Sequence, residues 1–320
     1  MKKNITAILY THKILLASIS VLLLLSVLFG ILNHRMDGTQ AQSALIAGSA
    51  VSTEPEITET VPRLTDWQEY RAIGHALGMT EAGDTATNSL EAFEYSYGRG
   101  IRVFEGDIQI TSDGVYVLRH DWILDLGQGE AFGWTDTEKR IPTSEEFLNT
   151  PIFGQYTPLT LASWFELMKE YPDIWFITDS KFSATVTDDF TLFVKTAREC
   201  GCEEVLNRII VQLYYPDMYE EVNSVYPFDS YILTLYYIGF PADPSSLYEF
   251  LSKENVKGLT MPEEYSEREY PEVYNSPNFK LYVHTINDYE TASSVMRYAY
   301  GLYTDTLTEA DLDEIAEELN

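Results

Sequence analysis

From about residue 70 onward, short β-rich runs alternate with helix-like segments, and no other feature constrains the fold as strongly. Alternation of this kind is typical of βαβ units that build a parallel sheet. About eight such units in one chain favour a closed TIM (β/α)8 barrel over an open doubly wound sheet. No Gly-x-Gly-x-x-Gly motif follows a predicted strand, so a dinucleotide-binding fold lacks support.

The boundaries of the predicted elements follow from the apolar patterning and the turn residues between runs. The predicted strands are 71–75, 102–110, 115–119, 174–178, 208–213, 231–236, 256–260, 281–285 and 301–304. The predicted helices are 89–97, 161–170, 189–200, 216–225, 245–252 and 288–298. Residues 122–159 interrupt the alternation of strands and helices and contain a short helical pattern at Ser144–Leu148. This interruption predicts an elaborated loop at one barrel end.

Near the N-terminus, Ile14–Leu32 is an uncharged apolar stretch. A helix of this length spans roughly 28 Å, close to the apolar thickness of a bilayer. Lys2, Lys3 and Lys13 precede it, which favours a cytoplasmic N-terminus. A cleaved signal peptide is the alternative, but its apolar region is usually shorter. We therefore expect one N-terminal transmembrane helix that anchors the chain in the plasma membrane, with everything after it extracellular.

The domain organisation follows from these features. Residues 1–13 are the predicted cytoplasmic N-terminus and 14–32 the transmembrane anchor. Residues 33–66, rich in Ala, Ser, Thr, Gln and Glu, predict an extracellular stalk, and 67–320 the barrel domain.

The charge of the chain limits its partners. The formal net charge of -29 repels the phosphates of nucleic acids, so we expect no nucleic-acid partner. An acidic enzyme can still bind a phosphodiester if a cation mediates the contact. Cys200 and Cys202 lack the second half of a zinc site, which predicts two free or buried thiols.

Two carboxylates lie two residues apart on one predicted strand. Glu105 and Asp107 therefore share a face, because side chains alternate along a strand. At about 6–7 Å and an effective dielectric near 20, two such charges repel by roughly 2–3 kcal/mol. A divalent cation would relieve this repulsion, and an all-oxygen site suits Mg²⁺ or Ca²⁺. The plainer interpretation is an ordinary solvated strand face.

Three histidines, His75, His120 and His284, fall at or near predicted strand ends, where TIM barrels build their active sites. A pair of histidines can supply an acid and a base at neutral pH. Asp179 and Lys181 end another strand, where the aspartate can complete a metal site and the lysine can neutralise a phosphate oxygen. Structural histidines and a strand-end ion pair are the plainer interpretations.

In this order, the motifs resemble the glycerophosphodiester phosphodiesterase family, within the phosphatidylinositol-phospholipase-C-like phosphodiesterase superfamily. The resemblance extends over about residues 70–306. The matching positions are His75, Asn88, Glu105 with Asp107, Asp113-Gly114, His120-Asp121, Asp179 with Lys181, Thr285 with Asn287, and Thr304-Asp305.

This resemblance implies a TIM barrel that hydrolyses glycerophosphodiesters, or glycerol-phosphate units of an envelope polymer, to an alcohol and glycerol phosphate. It implies that one of His75 and His120 is the catalytic base and the other the catalytic acid, without assigning the two roles. It also implies one divalent cation, Ca²⁺ or Mg²⁺, and contacts to the substrate phosphate. The implied metal ligands are Glu105, Asp107 and Asp179, and the implied phosphate-binding residues are Lys181 and Arg119.

The chain departs from the family pattern at three positions. The arginine of His-Arg-Gly is Ala76, the glutamate of Glu-Asn-Thr is Thr87, and the glutamate of Glu-x-Lys is Asp179. Two alternatives follow. One is a catalytically impaired barrel that acts as an extracellular binding module. The other is a related enzyme that stops at a cyclic phosphate or cleaves a lipid phosphodiester. His284 stands where the family more often has an aromatic residue, and it is a candidate third histidine of the pocket.

Overall fold

The computed structural model describes residues 66–181, 185–236, 244–252, 256–266 and 279–319. The predicted anchor at 14–32 and all but the last residue of the predicted stalk lie outside these ranges, and the predicted domain boundaries stay predictions. Within the described part of the chain, no helix is both long and apolar enough to cross a membrane.

Eight parallel strands close into a barrel in the order β1-β2-β4-β5-β6-β7-β8-β9 and back to β1, which confirms the predicted TIM barrel. β3 pairs antiparallel with β2, outside the closed ring. The strands are β1 (Ala72–Gly74), β2 (Val103–Ile110), β3 (Tyr116–Leu118), β4 (Trp175–Ser180), β5 (Ile209–Leu213), β6 (Ser230–Thr234), β7 (Val256–Pro262), β8 (Lys280–His284) and β9 (Gly301–Thr304).

The helices lie between these strands, and most of the predicted ones are present within a few residues. They are α1 (Leu90–Gly98), α2 (Ser144–Leu148), α3 (Leu161–Glu170), α4 (Val186–Glu199), α5 (Met218–Val225), α6 (Pro244–Leu251), α7 (Glu263–Ser266), α8 (Tyr289–Val295) and α9 (Glu309–Glu318). α9 was not predicted, although Thr308 and Asp311 form a capping box at its start. α4 begins earlier than predicted because the Thr185 side chain caps it.

The interior of the barrel is apolar toward the amino ends of its strands and polar toward their carboxyl ends. The apolar part is a buried cluster that consists of Trp67, Tyr70, Ile73, Val103, Ile177, Ile210, Ile232, Tyr282 and Tyr303. Side chains two residues further along these strands share the same inward face. In β2, β4, β5 and β8 these positions are Glu105, Asp179, Gln212 and His284. Polar groups therefore converge at the carboxyl ends of the strands.

Candidate active site

Three carboxylates meet at the carboxyl ends of β2 and β4. The ligand oxygens of Glu105, Asp107 and Asp179 lie within 4.8 Å of one another. The strand register sets Asp107 directly beside Asp179, and β4 continues two residues beyond its predicted end to make this pairing. The triad offers hard oxygen ligands in a buried, strongly negative place, which fits Ca²⁺ or Mg²⁺.

The ammonium group of Lys181 lies against two of these carboxylates. Its Nζ is 3.1 Å from Oδ1 of Asp107, and it also donates to Oδ2 of Asp179. Burial opposes ionisation, but the charges of Asp179 and Asp107 outweigh it and raise the pKa of Lys181. Burial and the charge of Asp107 also raise the pKa of Glu105. Lys181 therefore stays charged and offsets part of the negative charge.

Each carboxylate of the triad is held by hydrogen bonds. Asn88 donates from Nδ2 to Oδ2 of Asp107 over 2.9 Å. The backbone N–H of Ala76 donates to Oε2 of Glu105 over 2.8 Å. Two further bonds hold Asp179, and their donors are Gln212 Nε2 at 3.2 Å and the Tyr214 hydroxyl.

The spacing of Glu105 and Asp107 depends on the residue between them. Gly106 faces the aromatic core outside the barrel, where an added Cβ would lie 2.7 Å from Cε2 of Phe176. A side chain at this position would force Phe176 or β2 to shift, so glycine lets the two carboxylates keep their place against the unshifted ring of Phe176.

Both predicted catalytic histidines bond a carboxylate through Nδ1. Nδ1 of His75 lies 2.9 Å from Oδ1 of Asp305, and Nδ1 of His120 lies 2.8 Å from Oδ2 of Asp121. Burial lowers the pKa of His75, but the bond to Asp305 and nearby carboxylates outweigh it and raise the pKa to about 10. The bond to Asp121 likewise raises the pKa of His120, against burial. Both imidazoles also interact electrostatically with Asp107.

The guanidinium of Arg119, a predicted phosphate-binding group, is engaged by protein acceptors on its own side of the barrel. Its Nε donates to the backbone oxygen of Asp121 over 2.7 Å, and Nη1 donates to Oε1 of Gln128 over 2.6 Å. Nη2 donates to the backbone oxygen of Leu124. The guanidinium is buried in the loop of residues 122–159, so phosphate binding by Arg119 would require these bonds to break.

Several residues of the site received no role from the sequence. Asn88, Asn287 and Asp305 matched motif positions, yet their function as partners of other site residues was missed. Asn287 donates from Nδ2 to Oδ2 of Asp305 over 2.7 Å, and Asp305 in turn holds His75. Gln212 carried no signal beyond its place on a strand. The structure thus brings together Glu105, Asp107, Asp179 and Lys181, flanked by the two histidines.

The sequence of residues 80–307 matches the glycerophosphoryl diester phosphodiesterase family. The chain belongs to this family. As a member of the glycerophosphoryl diester phosphodiesterases, it is a phosphoric diester hydrolase. No curated protein matches the sequence.

Solved structures of glycerophosphodiester phosphodiesterases share the fold. One, from Parabacteroides distasonis, is 18% identical with a TM-score of 0.59, over 78% of this chain and 98% of that one. Another, from Thermotoga maritima, is 21% identical with a TM-score of 0.55, over 78% of this chain and 98% of that one. A phosphodiesterase from Oleispira antarctica, in complex with the product sn-glycerol-3-phosphate, is 15% identical with a TM-score of 0.58, over 77% of this chain and 96% of that one. At these identities the comparison establishes the fold alone.

Proposed function

We propose that this member of the family is a metal-dependent phosphodiesterase that hydrolyses glycerophosphodiesters, or glycerol-phosphate units of an envelope polymer. One observation carries the proposal. The three carboxylates within 4.8 Å of one another lie at the carboxyl ends of the barrel strands, beside Lys181 and two histidines. Active sites of TIM barrels occupy this end.

Glu105, Asp107 and Asp179 are the residues that would hold one divalent cation, Ca²⁺ or Mg²⁺. Such a cation acts as a Lewis acid on a non-bridging phosphate oxygen. The ammonium of Lys181 already lies at this place, and it can turn from Asp107 and Asp179 to a phosphate oxygen. Lys181 thereby takes over the phosphate contact that an arginine at position 76 would make.

The proton transfers belong to His75 and His120. Nδ1 of each ring bonds a carboxylate, which leaves Nε2 as the atom that exchanges protons with the substrate. One imidazole takes the proton of the attacking hydroxyl, and the other gives a proton to the leaving alcohol. A neighbouring glycerol hydroxyl can attack first, which gives a cyclic phosphate that water then opens.

The membrane anchor is part of this proposal. The uncharged stretch Ile14–Leu32, with lysines before it, supports a single-pass helix and an extracellular catalytic domain. Retention of the full chain in membranes after alkaline carbonate extraction is the expected result. Digestion of the barrel by protease added outside intact cells would support the orientation, and release of the chain by carbonate would refute the anchor.

The activity is tested with the full chain in detergent, using glycerophosphocholine, glycerophosphoglycerol and bis(p-nitrophenyl) phosphate. We expect turnover with Ca²⁺ or Mg²⁺, loss of turnover with EDTA, and a fall of at least about 10²-fold in H120A. E105Q should lose metal binding, whereas the matched exposed control E81Q should keep it. Turnover that survives both EDTA and E105Q would refute the metal site. A folded chain that binds glycerol phosphate without turnover would instead be a binding module.

A further inference from the structure

Asp179 differs from the other two carboxylates of the triad in how its oxygens are bonded. Oδ1 accepts two hydrogen bonds, one from Nε2 of Gln212 over 3.2 Å and one from the hydroxyl of Tyr214. Gln212 belongs to β5 and Tyr214 directly follows that strand, and both residues are buried. A carboxylate oxygen has two lone pairs. Because the two donors use both lone pairs of Oδ1, Asp179 can bind a cation through Oδ2 only.

The ammonium of Lys181 lies at the point that the remaining aspartate oxygens face. Its Nζ is 3.1 Å from Oδ1 of Asp107, and it also donates to Oδ2 of Asp179, the oxygen to which neither residue of β5 donates. A positive charge therefore already contacts one oxygen of each aspartate. A divalent cation that takes the place of this ammonium would meet the same two oxygens.

The second oxygens of Glu105 and Asp107 are turned to protein donors. Oε2 of Glu105 accepts the backbone N–H of Ala76 over 2.8 Å, and Oδ2 of Asp107 accepts from Nδ2 of Asn88 over 2.9 Å. Oε1 of Glu105 accepts no hydrogen bond from the residues that the structure describes. Each carboxylate of the triad thus directs one oxygen to the protein and has one for a cation.

The two amides that donate to the triad are engaged at their oxygens as well. Oδ1 of Asn88 accepts the backbone N–H of Asp107 over 3.0 Å. Oε1 of Gln212 accepts the hydroxyl proton of Tyr303 over 3.4 Å. Neither amide can therefore add a carbonyl oxygen to the three carboxylate oxygens without losing one of these bonds.

The number of oxygens on offer separates the two candidate cations. Ca²⁺ takes about six to eight oxygen ligands, and bidentate carboxylates and amide carbonyls commonly supply them. Mg²⁺ takes about six, keeps several waters, and is bound through few carboxylates together with substrate phosphate. Three single carboxylate oxygens without an amide carbonyl fit Mg²⁺ better than Ca²⁺.

We propose that this site selects Mg²⁺ over Ca²⁺. Tyr214 and Gln212 are positioning residues that produce this preference, because their bonds to Oδ1 keep Asp179 from binding a cation through both oxygens. The inference rests on the proposed function, whose metal it names.

The first test measures Kd for Mg²⁺ and for Ca²⁺ by calorimetry on the full chain in detergent. The wild type should bind Mg²⁺ more tightly. Y214F keeps the ring but releases one lone pair of Oδ1, so the ratio of Kd for Ca²⁺ to Kd for Mg²⁺ should fall about tenfold. Q212M removes the other donor at similar volume and should lower the ratio as well. Y215F, which removes an exposed phenol next in sequence, is the matched control and should leave it unchanged. Tighter binding of Ca²⁺ by the wild type, or an unchanged ratio in Y214F, would overturn the inference.

The second test uses infrared difference spectra of the carboxylate groups. A bidentate carboxylate has a smaller separation between its antisymmetric and symmetric stretches than a monodentate one. Addition of Ca²⁺ should give a bidentate signal in Y214F but none in the wild type, a change that a tyrosine with only a packing role would not cause. A bidentate signal in the wild type contradicts the inference.

Failure of the proposed function has a separate signature. A wild type that prefers Mg²⁺ but hydrolyses no phosphodiester would refute the proposed function and leave the cation preference intact. Turnover with Mg²⁺ combined with the same Kd ratio in Y214F and in the wild type would refute this inference alone. Binding of neither cation would overturn the inference together with the metal site.

Discussion

Asn88 contacts Asp107 at two points, donating from Nδ2 to its carboxylate over 2.9 Å and accepting its backbone N–H at Oδ1 over 3.0 Å. Asn287 makes the same pair of contacts with Asp305, both over 2.7 Å. One aspartate belongs to the proposed metal site, and the other holds His75. On each side of the site, therefore, one asparagine holds both the backbone and the side chain of an aspartate through the same pair of hydrogen bonds.

Replacing Asn88 with glycine should weaken the metal site. The backbone φ of Asn88 is +51°, which glycine adopts without strain, so N88G reports mainly the lost hydrogen bonds. We expect the free energy of unfolding to fall by about 1–3 kcal/mol and the affinity for Ca²⁺ or Mg²⁺ to fall about tenfold. Chemical denaturation and calorimetry measure the two effects. N149G, at an exposed helix end, is the control, and unaltered metal affinity in N88G would contradict the argument.

Replacing Lys181 with methionine should separate metal binding from catalysis. The ammonium lies 3.1 Å from Asp107 and competes with a cation for its charge, so K181M should bind Ca²⁺ or Mg²⁺ about tenfold more tightly. It should also lose at least about 10²-fold in kcat/KM, because the phosphate loses its cationic contact. K257M removes an ion-paired lysine at the other end of the barrel and should change neither quantity. Weaker metal binding in K181M would argue against this assignment.

Adding a methyl group at Gly106 should disturb the spacing of the carboxylates. The new Cβ would lie 2.7 Å from Phe176, and overpacking of this kind costs about 1–3 kcal/mol of stability. F176L removes the obstructing ring edge, so G106A should cost less in that background than in the wild type. A double-mutant cycle by urea denaturation measures this coupling, and strictly additive effects would show that the contact is not the cause.

The positions of the proposed ligands could be predicted because they follow from local rules. Side-chain alternation puts Glu105 and Asp107 on one face, and the barrel brings the carboxyl ends of its strands together. The sequence therefore predicted the triad, Lys181 and the strand-end histidines. The helix at Ser144–Leu148 was also predicted, and a capping box at Thr143 supports it.

The partners of these residues could not be predicted, because they depend on contacts distant in sequence. Asp305 and His75 are hydrogen-bonded although 230 positions separate them in the sequence, and Tyr303 and Gln212 are bonded over a separation of 91. The orientation of the Arg119 side chain was not predictable either, since the course of the following loop decides which carbonyl groups surround its guanidinium. Motif matching identified Asn88 and Asp305 as matching positions, but gave no information on what they hold.

Asp113 should contribute to acid stability. Hydrogen bonds from Thr111 and Ser144 lower the pKa of its carboxyl from 3.8 to about 2. Between these values the unfolded chain binds more protons than the native one, so this contribution is present above pH 4 and is lost as pH falls toward 2. D113N should therefore be less stable than the wild type at pH 7, and the difference should shrink at pH 3. Urea denaturation at both pH values measures it. The exposed D136N should follow the wild type, and a difference for D113N that does not depend on pH would contradict the linkage.

Arg119 should act as an anchor of the loop formed by residues 122–159. Its guanidinium donates to Asp121, Leu124 and Gln128, and no lysine can reach all three acceptors. We expect R119K to lower the free energy of unfolding by about 2–4 kcal/mol. We also expect protease to cleave the loop faster in R119K than in the wild type when no ligand is bound.

Inhibition by inorganic phosphate distinguishes this role from a phosphate contact. If Arg119 anchors the loop, the inhibition constant for phosphate should remain near that of the wild type in R119K under conditions where the protein is folded. R140K, which alters an exposed arginine bonded to Glu146 in the same loop, is the matched control and should change neither stability nor proteolysis appreciably. If R119K is as stable as the wild type and phosphate inhibits it tenfold or more weakly, Arg119 instead binds the substrate phosphate. The three hydrogen bonds to the loop would then be dispensable for stability.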